Sequence, residues 1–157
     1  MNAPRLANAG IGTVTVLFIA LLAACGGPGS ESGVAATDPA VGAVPDGVAA
    51  VYMTLQSNRD DTLNAVTCGC GARVTLHETA DRNGVSMMSA VDRIDLPADT
   101  PVQLRPGGAH MMLEDLTEPL EAGSNIELRL SFEHAAAITV EVPVVPLEDL
   151  ARRIEDR

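Results

Sequence analysis

The residues of this chain best suited to chemistry are histidines and sulfur-bearing side chains. There are three histidines, six methionines and three cysteines in 157 residues. The stretch "GGAHMMLEDL" (107–116) places His110 beside Met111 and Met112, and His77, Met87 and Met88 lie upstream. Thioether sulfur is soft and imidazole is borderline, so together they suit Cu(I) better than hard cations. Methionine needs no deprotonation and survives in oxidising surroundings where free thiols are lost. Any one of these residues alone is unremarkable, since surface histidines and scattered methionines are common. The question is whether the chain can bring them to one place.

Strand alternation decides which of them can share a face. In "AHMML" (109–113), Ala109, Met111 and Leu113 form one apolar face, which predicts Met111 in the core and His110 with Met112 on the other side. In "RVTLHET" (73–79), Val74 and Leu76 mark the core face, so His77 joins Arg73, Thr75 and Thr79 on the outer one. Only one of Met87 and Met88 can face the same way, and alternation alone leaves that phase open. Cys68 and Cys70 in "TCGCGA" are compatible with a disulfide, a free dithiol or soft metal ligands. A structural or redox-labile pair ranks slightly ahead of a metal role. His134 closes "SFEH" as a solvated strand-end residue.

The elements that must position these side chains read as short strands: 49–57, 61–68, 73–79, 85–91, 101–105, 109–113, 125–132 and 137–144. Turn-forming stretches such as "NRDD", "GCGA", "DRNG", "LPADT", "PGG" and "EAGS" separate them. "NIELRLSF" alternates apolar and polar as a half-buried strand does. Many short strands at regular spacing predict an all-β sandwich or barrel. The C-terminal 147–157 stretch has Leu147, Leu150 and Ile154 at helical spacing, a tail with a possible short helix.

The ends are of a different character. Residues 1–24 hold a weakly basic start and the uncharged run "IGTVTVLFIALLAA", shorter than a membrane-spanning helix requires and typical of a secretory signal peptide. Leu22-Ala23-Ala24-Cys25 resembles a bacterial lipobox, which implies cleavage before Cys25 and lipidation of its sulfur. The protein is therefore expected at the outer face of the bacterial cytoplasmic membrane, held by a lipid anchor. Residues 25–45 are rich in Gly, Ser, Ala and Pro and predict a flexible tether. Residues 46–146 are left as one small domain.

Composition excludes several functions. The net charge is −11 and every basic residue is arginine, which disfavours nucleic acid and anionic lipid surfaces. Aromatic residues make up 2% with no Trp, so stacking platforms for bases or sugars are absent. No HExxH, glycine-rich phosphate loop or recognisable Ser-His-Asp spacing is present, which argues against an enzyme.

Taken jointly, His77, Met88, His110 and Met112 follow the pattern H-x10-M-x21-H-x-M. This resembles the motif of the PCuAC family of bacterial periplasmic copper chaperones at all four positions. The flanking "LPADTPVQLRPGGAHMMLEDLTEPLEAG" (96–123) is similar to the family's central segment, with Ala98-Asp99 where Ala-Gly is usual. The resemblance spans about Val48 to Val145. It implies a cupredoxin-like Greek-key β-sandwich, one Cu(I) held by the four motif residues, and delivery toward cytochrome c oxidase assembly. The recipient would be an oxidase subunit or a thiol copper chaperone, with Cys68 and Cys70 as possible accessory thiols. Two rival readings remain: a blue-copper electron-transfer protein, which needs a cysteine thiolate, and a non-metal structural or binding lipoprotein.

Overall fold

A computed structural model describes residues 33–155. The expected signal segment and Cys25 lie outside the described residues. Ten strands and one helix follow in order: β1 (Val34–Gly42), β2 (Gly47–Ser57), β3 (Asp61–Cys68), β4 (Arg73–Arg82), β5 (Val85–Val91), β6 (Ile94–Leu96), β7 (Val102–Leu104), β8 (Ala109–Leu116), β9 (Asn125–Phe132), β10 (Ile138–Val145) and α1 (Leu147–Glu155). The hydrogen-bonded path runs β5-β4-β8-β2-β1-β10-β9-β3-β6, with β7 pairing β2. Parallel pairing of β1 with β10 joins the two halves. Both halves feed one core: Val51, Met53, Leu104, Met111 and Leu113 from one, Leu63, Leu128, Leu130 and Val142 from the other, all fully buried. The sheet therefore closes over itself, as the all-β expectation requires.

The tether reading of residues 25–45 needs correcting from Val34 onward. Val34–Gly42 is a strand, paired with β2 from Val34↔Ser57 to Val41↔Val51. Composition misled because the strand is made of small residues. Val34, Ala40 and Val41 are buried, and Pro39 sits where the register shifts between Thr37 and Ala40, so its missing N–H breaks no ladder bond. Gly42 has a packing reason: a Cβ there would stand 2.5 Å from Leu147 Cδ2 of α1. The helix thus seats directly on β1, with Leu150 buried against Ala40 and Val145. Acidic Glu148 and Asp149 in its first turn and basic Arg152 and Arg153 in its last complement the helix dipole.

The register of the three strands that matter here is set by turns. Asn83 and Gly84 have φ of 57° and 80°, the two left-handed residues of a type I′ hairpin. That two-residue loop pairs Arg82 with Val85 and, counting back, Thr79 with Met88. On the other side of β4, His77 lies directly opposite His110 and Thr75 opposite Met112. Gly107, with φ of 74°, turns the chain into β8. Asp99 sits at φ 55°, the left-handed region that explains why glycine suits this position; aspartate tolerates it.

Candidate metal centre

Directly paired residues share a face, so the registers place four side chains together. His77 and His110 form one rung across β4 and β8. Met88, opposite Thr79, is one same-face rung away on β5, and Met112, opposite Thr75, is one rung away in the other direction. Leu76 and Met111, paired on the reverse face, are both buried in the core. The expected split of Met111 inward and Met112 outward is what the fold contains. The open phase at Met87 and Met88 resolves in favour of Met88, because Met87 pairs with Ala80 on the reverse face.

The contacts within the face are close. His110 Nδ1 donates to the Gly108 carbonyl at 3.0 Å. A carbonyl only accepts, so this bond assigns the proton to Nδ1 and leaves Nε2 as a bare lone pair. That Nε2 stands 3.2 Å from Met88 Sδ. In the neutral imidazole two lone-pair donors thus face each other. The imidazole rings of His77 and His110 are stacked with centroids 5.7 Å apart and planes inclined at 23°. His77 Nε2 is 2.9 Å from Thr75 Oγ1, while its Nδ1 is buried without a hydrogen-bond partner. An orphaned buried nitrogen is costly unless something else satisfies it.

One expectation needs amendment. His110 lies on the non-core face but is 6% exposed, whereas Met88 is 54% exposed. The outward face is not bare because Met88 and the His77 ring lie against the His110 imidazole. The face therefore has a buried nitrogen floor and an accessible sulfur at its edge strand. Arg73 continues the same face, ion-paired to Glu114 at 2.6 Å.

In the sequence Thr75 is marked only as a neighbour of His77 on the outer face. Its place directly opposite Met112 and its bond to His77 make it the orienting partner of that ring. The i, i+2 spacing of Thr75 and His77 on one strand face carries that signal.

Cys68 and Cys70 do not join this set. They are bonded to each other as a disulfide, with Cα atoms 5.0 Å apart, at the end of β3. Among the described residues, no group of three or more His, Cys, Asp or Glu side chains is gathered to hold a metal. No carboxylate- or thiolate-rich site among them competes with the His/Met face. His134 is exposed, and its backbone N–H donates to Asp61.

The fold is that of PCuAC domains. The copper-bound PCuAC domain from PmoF2 superposes with a TM-score of 0.61 at 26% identity, covering 74% of this chain and 96% of that one. The Cu(I) form of DR1885 from Deinococcus radiodurans shares the fold with a TM-score of 0.57 at 22% identity, covering 75% of this chain and 83% of that one. The cupredoxin-like β-domain expected from the sequence is therefore present. Within that class, residues 34–144 match the family described as "Putative lipoprotein LpqE-like", and the chain belongs to it. A relative from Leifsonia xyli subsp. xyli, named "Putative lipoprotein Lxx21020", is 34% identical over 121 residues, 74% of this chain and 73% of its own length.

Proposed function

We propose that this protein is an extracytoplasmic Cu(I) carrier, a metallochaperone with no catalytic step of its own. The ion is its cargo, held by His77, Met88, His110 and Met112. The observation that carries the reading is the bare Nε2 of His110 facing Met88 Sδ at 3.2 Å. Nitrogen and sulfur bonded to one tetrahedral ion at lengths typical of Zn–N and Zn–S would sit about 3.5 Å apart, close to this spacing. The orphaned Nδ1 of His77 supplies a second nitrogen. With His77 Nε2–H donating to Thr75 Oγ1, the lone pair of Nδ1 would be left free to bind.

Donor chemistry fits loading and release. Two thioethers and two neutral imidazoles favour Cu(I) without the tenacity of thiolates. Protons compete for the imidazole nitrogens, so the hold weakens in acid. Met88 stands exposed on the edge strand β5, where an acceptor's ligand can displace it first while the buried His110 still holds the ion. The resemblance to PCuAC chaperones extends the reading to a copper-accepting protein of oxidase assembly. The lipobox at Cys25 and the lipoprotein naming of the relatives support a lipid-anchored protein at the outer face of the cytoplasmic membrane. A blue-copper centre is disfavoured, because both domain cysteines are tied in a disulfide and offer no thiolate.

The test is metal analysis of the purified domain after anaerobic loading with Cu(I). One copper per chain is expected, with a colourless complex and sulfur and nitrogen neighbours in X-ray absorption. Failure to retain copper against a weak chelator would overturn the reading.

A further inference from the structure

The disulfide at the end of β3 is not explained by copper binding. It encloses a single residue, Gly69, and joins two positions of the same β3–β4 connection. Cross-links stabilise a fold by closing loops, and the effect grows with the number of residues enclosed, so a one-residue loop gains little. This one staples no two elements together. The turn is held without it: Gly69 N–H donates to the Glu127 carbonyl at 2.9 Å and Gly71 N–H to the Cys68 carbonyl at 3.2 Å.

Its surroundings suit exchange chemistry instead. Both cysteines are half-buried, flanked by glycines in "TCGCGA". A side chain started at Gly71 would meet nothing within 4 Å, so the approach along the Cys70 side is open. The backbone N–H of Cys70 donates to Cys68 Sγ at 3.1 Å. An N–H aimed at one sulfur stabilises negative charge there, which marks Cys68 as the leaving group and Cys70 as the sulfur attacked.

We propose that Cys68–Cys70 is a thiol–disulfide exchange site that accepts two electrons from a dithiol protein of the cell envelope. A thiolate of the partner attacks Cys70 Sγ, the S–S bond breaks, and Cys68 departs as a thiolate and takes a proton from water. The partner's second thiol, giving its proton to solvent, attacks the mixed disulfide through its own sulfur and releases Cys70 as a thiolate, which is protonated in turn. The partner ends as a disulfide and this chain as a dithiol, the two electrons having passed between them. None of these steps uses the His/Met face, so the proposal stands or falls independently of copper.

The experiment equilibrates the metal-free full chain with graded ratios of reduced to oxidised dithiothreitol. Thiols are then trapped by alkylation and read on the tryptic peptide 60–73, which excludes Cys25. The site should become reduced at stoichiometric dithiothreitol in the folded protein, with the thermal midpoint of the reduced chain within a few degrees of the oxidised one. Cys70→Ser should leave Cys68 alkylating about tenfold faster than Cys70 does in Cys68→Ser, the asymmetry that the N–H contact dictates. Resistance to a large excess of reductant, or unfolding on reduction, would show a structural bridge and overturn the proposal, as would equal alkylation rates in the two variants.

Discussion

His110 Nε2 and Met88 Sδ meet 3.2 Å apart although 22 residues separate them along the chain. The contact exists because an Asn-Gly hairpin fixes Met88 opposite Thr79 while His77 and His110 form the adjacent rung. If this pair begins the copper site, Met88→Ala and His110→Ala should each weaken Cu(I) binding by at least the roughly 10–100-fold typical of losing a supporting partner. Chelator competition under anaerobic conditions measures it. Unchanged affinity in the double variant would remove the site.

Met111 supplies the matching control. It adjoins two proposed ligands in sequence but is fully buried in the core. Met111→Ala should cost about 2–5 kcal/mol of stability by leaving a cavity, with copper affinity almost intact in the folded fraction. Denaturant unfolding and copper titration together separate the two effects. Loss of affinity without loss of stability would invert the assigned strand phase.

Thr75→Val keeps the β-branched shape of the strand residue and removes only the oxygen 2.9 Å from His77 Nε2. The His77 ring then loses the partner that selects its tautomer. Copper affinity should fall about tenfold, and Thr75→Ser should restore it. Imidazole nitrogen shifts in the metal-free protein provide a readout independent of copper. A tautomer unchanged in the valine variant would show that Thr75 does not orient the ring.

Much of this arrangement was legible in the residues themselves. Alternation alone separated Met111 from Met112, because a strand with one buried face leaves no freedom in that choice. The Met88 phase was legible too, in principle, since Asn83-Gly84 specifies a two-residue loop and hence the rung each residue occupies. What hid was of two kinds. Strand β1 is built of Ala, Val, Thr and Pro, and its small side chains carry little periodic signal; it is a strand because β2 and β10 both offer it hydrogen bonds. Strand β6 is three residues long, with Ile94 and Leu96 inward, too short for any pattern to establish. The burial of His110 was also out of reach, because it depends on side chains arriving from β4 and β5.

Asp61 ties the turn after β9 to the start of β3. Its carboxylate accepts backbone N–H bonds from Thr62 at 2.7 Å, His134 at 3.0 Å and Ala135 at 2.8 Å. Burial alone would raise its pKa, but these three bonds and the nearby His134 outweigh it and hold the group below its ordinary value of 3.8. A folded-state pKa below the unfolded one gives stability that is present above pH 3.8 and lost as pH falls through the lowered value. Asp61→Asn keeps one acceptor oxygen but sets an NH2 group against an N–H, costing about 1–3 kcal/mol at neutral pH. The difference between wild type and variant should shrink below about pH 4, the range set by an ordinary Asp. A difference independent of pH would mean that the charge is not what the turn uses.

The place of β1 makes the sharpest test of where the domain begins. A chain starting at residue 33 retains the strand that bridges β2 and β10; one starting at residue 46 does not. The shorter chain loses the burial of Val34, Ala40 and Val41, and the two valines alone are worth about 1.5–3 kcal/mol each. It also strips the seat of Leu150 in α1 and leaves two long strand edges unpaired at the centre of the sheet. Against a total stability of about 5–15 kcal/mol for a domain of this kind, those losses are decisive. The chain from residue 33 should give a cooperative thermal transition and dispersed NMR spectra, and the chain from residue 46 should aggregate or remain unfolded. A folded, copper-binding protein from the shorter chain would return residues 34–45 to the status of tether.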